Sequence, residues 1–154
     1  MSTLAVVILV LITLCVGGTA ARATDPIDVR AMQAIAKSTR ADKSLGWGVK
    51  SGDPCDSTWP GVHCDKDMGR VTAIDASNGG LAGTISGTDL RDLTYLSSLD
   101  LSRNRLDTAT GFPEQPRPLR HLTYLNISSN AFREMPDYFL FSFPALETFA
   151  MDDN

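Results

Sequence analysis

The chain has 154 residues, 43% of them hydrophobic and 21% charged, with a formal net charge of −4. That length holds one core and no second sizeable one, and the composition lies outside the disordered range. The acidic balance, with Lys and Arg scattered along the sequence, excludes a nucleic-acid footprint, which needs clustered cations to neutralise phosphates.

Residues 1–23 read as a leader. Leu4 to Val16 is apolar except for Thr13, small residues follow from Gly17, and Ala21-Arg22-Ala23 supplies a small-x-small cleavage pattern. As a helix this run would rise only about 20 Å, short of a hydrocarbon core of about 30 Å. A secretory signal fits better than a span, although no Lys or Arg precedes the run, and an uncleaved anchor is the competing reading. Cys15 falls inside the leader, so the mature chain keeps two thiols, Cys55 and Cys64. In an exported protein such a pair reads as a disulfide. A metal site would have only His63 nearby and His121 far off in sequence, too few ligands for a zinc centre.

Residues 24–70 read as a cap. Asp25 can cap a helix with Pro26 at its first position, and Asp28 suits the N-terminal dipole. Val29, Met32, Ile35 and Ala36 then recur at helical spacing as far as about Thr39, a buried face with Ile35 at its centre. Beyond it, Trp47 precedes Asp53-Pro54-Cys55, and Trp59-Pro60-Gly61-Val62-His63-Cys64 follows; both tryptophans are expected in the cap core.

Residues 71–154 repeat. Leu96, Leu99, Leu101, Asn104 and Leu106 fit LxxLxLxxNxL, as do Leu122, Leu125, Ile127, Asn130 and Phe132, and Leu146, Phe149, Met151 and Asn154. Val71, Ile74, Ala76 and Leu81 hold the same slots upstream, with Gly79 in the Asn slot. About four repeats result, the last incomplete. Apolar residues two apart on a short strand share a face, and each repeat needs its neighbour to bury it, so the pattern predicts a parallel sheet along an arc. Asn104, Asn130 and Asn154 are expected to turn inward as a ladder that satisfies backbone groups at the bend. Phe112 to Pro118, with three prolines, reads as an extended insertion. The pattern breaks off at Asn154, which reads as a fragment or a truncated product.

Taken together, the Trp, Asp-Pro-Cys and Trp-x-Gly-Val-x-Cys elements resemble the plant leucine-rich-repeat N-terminal cap of receptor-like kinases and polygalacturonase-inhibiting proteins, and the resemblance covers residues 25–154. It implies an α/β solenoid, a short parallel concave sheet behind a helical, disulfide-tied cap. Arg70 to Ile74, Asn78 to Ile85, Phe132 to Phe139 and Leu146 to Asn154 look like the transmembrane-kinase group linked to auxin signalling, whose members join an extracellular repeat domain, one span and a cytoplasmic kinase; Gly79 and the proline-rich insertion depart from it.

In such folds the residues between the inward apolar positions bind. The candidate face comprises Asp75, Ser77, Asp100, Ser102, Arg103, Tyr124, Ser128 and Thr148; the same residues would equally serve as a solvated face. Asn126-Ile127-Ser128 is a glycosylation sequon, and a glycan there would cover the middle of that face. Catalytic and cofactor-binding residues are expected to be none: His63 and His121 have no assigned nucleophile, and kinase motifs are missing. The expected function is an extracellular recognition module, the ectodomain of a plant receptor-like kinase or a piece of one, meeting a protein or peptide ligand or a co-receptor. The alternative is a secreted polygalacturonase-inhibitor-like defence protein. Either places the chain in the apoplast or at the cell surface, with no nucleic-acid partner and no span in the mature chain.

Overall fold

The computed structural model describes residues 22–107, 117–135 and 137–154. Leader residues 1–21 with Cys15, residues 108–116 with the proline-rich stretch from Phe112 to Pro116, and Pro136 lie outside the described residues.

Helix α1 spans Pro26–Ser38, and the Asp25 side chain accepts from the Ile27 N–H at 2.8 Å. This satisfies one of the donors a helix start leaves unpaired, while Pro26 needs no partner there. Ala31, Met32, Ile35 and Ala36 form its buried apolar face, whereas Val29 is only half-buried. A short helix α2, Ala41–Ser44, follows Arg40. Trp47 and Trp59 are buried and stacked with ring centroids 5.7 Å apart. Each indole N–H finds a carbonyl at 2.9 Å, Pro60 for Trp47 and Ser51 for Trp59, which lets two large rings enter the core without a stranded donor.

Cys55 and Cys64 form a disulfide across nine positions, their Cα atoms 5.7 Å apart. Replacing both with serine is expected to cost roughly 2–3 kcal/mol, because the unfolded chain regains the freedom of the closed loop. Urea unfolding of the double variant against the parent measures it; an unchanged midpoint would deny the bridge a structural role.

The sheet begins with a hairpin absent from the sequence reading. Strand β1 (Val62–Asp65) runs antiparallel to β2 (Arg70–Asp75). Behind β2, strand β3 (Ala82–Gly83) and helix α3 (Gly87–Leu90) complete the first repeat. Then come β4 (Ser98–Asp100), β5 (Arg105–Leu106), β6 (Tyr124–Asn126), a 3-10 turn (Phe139–Ser142) and β7 (Thr148–Ala150). The main sheet has the order β1-β2-β4-β6-β7, parallel from β2 onward, with Ile74, Leu99, Leu125 and Phe149 in register. On the back, β3 pairs parallel with β5, and Ala82 and Thr84 donate to the Thr39 and Ser38 carbonyls, tying the cap to the first repeat.

Leu81, Leu90, Leu93, Leu96, Leu99, Leu101, Leu106, Leu119, Leu122, Leu125 and Ile127 fill one continuous core with the cap residues. Burial of a side chain of this size contributes about 1.5–3 kcal/mol. No single repeat holds such a core, so the stack is the folding unit.

Candidate functional site

The concave face is ordered by two devices, the first at the ends of β2, β4 and β6 and the second after all four parallel strands. In the first, a side chain on the last strand residue accepts from the residue two positions on. Asp75 Oδ1 accepts from the Ser77 N–H and hydroxyl, Asp100 Oδ1 from those of Ser102, and Asn126 Oδ1 from the Ser128 N–H. Such local bonds fold the chain out of the strand. The Ser77 hydroxyl, then its N–H, hold the Asp75 carboxyl below its ordinary value. A depressed carboxyl stabilises the fold above the ordinary Asp range, and that contribution is lost as pH falls through its folded value.

In the second device, Asn78, Arg103, Ser129 and Asp153 take left-handed φ values of 51, 56, 54 and 56°. The first three donate their N–H groups to the next repeat, at Ser102, Ser128 and Asp152. Left-handed backbone at a non-glycine residue costs about 1 kcal/mol or more, and the cross-repeat bonds repay it.

Inside the bend, Asn104 Oδ1 accepts from Leu81 N–H at 2.9 Å while Nδ2 donates to Ala76, Leu101 and Ser102 carbonyls. Asn130 makes the equivalent set with Leu106 N–H and the Leu101, Ile127 and Ser128 carbonyls. Asn154 does so with Phe132 N–H and Ile127, Met151 and Asp152. At Gly79 the room is taken: a Cβ would stand 2.9 Å from the Ala76 carbonyl oxygen and 3.1 Å from Leu45 of the cap. The departure at the first repeat therefore answers first to the repeat's own backbone at Ala76 and then to Leu45 of the cap.

Of the candidate face, Asp75, Ser77, Arg103 and Thr148 are exposed, and Asp100, Tyr124 and Ser128 half-buried. Ser102, expected in solvent, is buried at 7% exposure because its hydroxyl turns onto Asp100. Tyr124 Oη donates to Asp100 Oδ2 at 3.2 Å, and the sequon residue Asn126 donates to the same oxygen at 3.2 Å. Ser77, Asp100, Arg103, Asn126 and Ser128 line a shallow hollow of about 440 Å³ with Asp152 and Asp153. It is lined by hydroxyls, amides and carboxylates with Arg103 as its base, suited to hydrogen bonding along an extended ligand. Among the described residues no group of His, Cys, Asp or Glu could hold a metal ion.

The sequence reading placed Asp28 at the helix start for its dipole. The structure buries it completely. Its carboxylate accepts from Arg70 Nε at 3.1 Å and Nη2 at 2.7 Å, and from the Val71 N–H at 2.8 Å, joining the cap to the first repeat strand.

Residues 25–65 match the family described as "Leucine rich repeat N-terminal domain". The chain is 32% identical over 105 residues to Protein STRUBBELIG-RECEPTOR FAMILY 2 of Arabidopsis thaliana, an alignment covering 68% of this chain and 13% of that protein. It is 37% identical over 84 residues to Pollen receptor-like kinase 6 of the same plant, covering 52% of this chain and 12% of that one. The chain thus spans about an eighth of the length of these relatives. Among solved structures, the Arabidopsis receptor kinase HAESA in complex with the peptide hormone IDA and the co-receptor SERK1 superposes with a TM-score of 0.53 at 23% identity, covering 84% of this chain and 26% of that one. That likeness is one of fold. No helix among the described residues is long and apolar enough to cross a membrane.

Proposed function

We propose that this chain, a leucine-rich-repeat protein similar to plant receptor-like kinases, is an extracellular recognition module that binds a protein or peptide along its concave sheet and performs no catalytic step itself. Any kinase activity would belong to a cytoplasmic domain outside these residues. The observation that carries the reading is the hollow around Asp100, where four repeats present hydroxyl, amide and charged groups on a sheet backed by one continuous core. A preformed polar face of this kind gives up little side-chain entropy on binding. The relatives give the context: proteins named as receptor-like kinases align with this cap and these repeats.

An unmodified Asn126 belongs to this reading, since its amide already serves Asp100 and Ser128. The intact mass before and after enzymatic removal of N-glycans decides that point, and a full glycan on Asn126 would move recognition off this face. The binding test uses Arg103→Glu with Thr148→Arg, both at exposed positions, against Arg105→Glu on the back strand β5 as a control. From plant extracellular fluid, the parent and the control are expected to retain a polypeptide that the double variant loses at least about tenfold, the effect of losing about 1.4 kcal/mol. Equal retention by all three, or no retained partner, would overturn the concave site.

A further inference from the structure

Arginines scattered in the sequence meet in space on the flank of the solenoid, away from the concave face. Arg70, Arg91, Arg117, Arg120, His121 and Ile27 line an open pocket of about 530 Å³. Four of the chain's 14 Lys and Arg residues thus share one cavity of a protein with net charge −4. The repeat brings them there. Arg70, Tyr95 and His121 each precede the first apolar residue of a repeat (Val71, Leu96 and Leu122), and Arg91 and Arg117 each stand five positions before it. Successive repeats stack these slots into columns. The Arg70 guanidinium lies 4.6 Å from the Tyr95 ring centroid, and the His121 ring stacks on Tyr95 at 5.5 Å with 6° between planes.

The charges are unevenly answered. Arg70 is held by buried Asp28, and Arg91 has Asp92 at 3.5 Å. Arg117 and Arg120 are exposed and have no carboxylate partner among the described residues. Among the described residues, four guanidinium groups against two carboxylates leave two forks for bidentate carboxylate recognition. The rim also offers apolar contact at Ile27, 43% exposed, and at Pro118.

We infer that this flank is a second binding surface, distinct from the concave one, which takes an acidic peptide segment of a partner protein. A peptide supplies what the pocket presents places for: separate carboxylates for Arg117 and Arg120, and aliphatic carbons for Ile27 and Pro118. An acidic sugar chain fits less well, since Tyr95, the ring a sugar would stack on, is already stacked with Arg70 and His121. Held by Asp28 behind it, Arg70 stays fixed beside the incoming chain instead of folding onto it.

The test is fluorescence anisotropy with a labelled peptide of alternating Glu and Ala, on the purified protein. The peptide is expected to bind, with affinity falling as salt rises because the contacts are exposed. Arg117→Glu with Arg120→Glu should weaken it at least about tenfold, while Arg103→Glu in the concave hollow leaves it within about twofold. Arg117→Gln with Arg120→Gln repeats the comparison without reversing charge. Unlabelled oligogalacturonate and inorganic phosphate serve as competitors. No binding, binding by both flank variants as tight as the parent's, or dependence on Arg103 would overturn the flank site; displacement by oligogalacturonate at lower concentration than by unlabelled peptide would overturn the peptide as its ligand. Because the concave test reads different residues, either surface can fail alone.

Discussion

Asn104→Ala is expected to lower stability by roughly 1–3 kcal/mol, well beyond the removal of one exposed side chain. Its amide serves four backbone groups in two repeats: Leu81 N–H as acceptor, and the Ala76, Leu101 and Ser102 carbonyls as donor. Its loss leaves the Leu81 N–H without that partner, while the Ala76, Leu101 and Ser102 carbonyls keep donors in the Gly79 N–H, Asn130 Nδ2 and the Asn78 N–H, so the cost is that of one stranded donor, roughly 1–3 kcal/mol. Water could recover some of that loss, because the residue is half-buried. Asn154 makes an equivalent set of bonds at an exposed position, so Asn154→Ala should cost well under half as much. Urea denaturation of both variants, read by tryptophan fluorescence from Trp47 and Trp59, gives the two numbers. Similar losses at the two positions would mean that the ladder amides act locally and do not tie repeats together.

That ladder was legible in the sequence because a solenoid writes its contacts at a fixed period. Ile74, Leu99, Leu125 and Phe149 pair in register as the repeat spacing requires, and the two cysteines form the bridge an exported pair implies. The left-handed turn residues were hidden for a physical reason. Asn78 and Asp153 are types that tolerate such backbone, but Arg103 and Ser129 are not marked for it, and the cross-repeat bonds that impose it are invisible until the strands pair. The β1–β2 hairpin was missed because a four-residue strand ending at Asp65, among Pro, Gly and Asp, has no alternation long enough to read. Ser102 shows the opposite error. The period put it on the outer face correctly, but period says nothing of a hydroxyl bonding back to Asp100. The arginine columns stood in the register all along; side chains a repeat apart look scattered until the repeat is used to fold the list back on itself.

Asp28 was the most consequential residue the pattern could not place, and Asp28→Ala is expected to cost about 3–5 kcal/mol, the range for breaking a buried ion pair from one side. The carboxylate is fully buried and takes two bonds from the Arg70 guanidinium and one from the Val71 N–H, with partners 42 and 43 residues away. Removing it leaves the guanidinium, its side chain only 14% exposed, with the Thr94 hydroxyl and the Tyr95 ring but no carboxylate, and leaves a buried N–H at the start of the first repeat strand. In the parent the Asp28 hydrogen bonds raise the Arg70 pKa; without them an arginine still keeps its proton, so the cation cannot escape by losing it. Replacing both at once, Asp28→Leu with Arg70→Met, should recover part of the loss, since a well-packed apolar pair often equals a buried ion pair. A double-mutant cycle by thermal or urea unfolding separates the pair from its surroundings. If the single alanine variant melts like the parent, the cap and the repeats are joined by apolar packing alone. If the apolar double loses as much as the single, the Val71 N–H bond is what Asp28 is there to make.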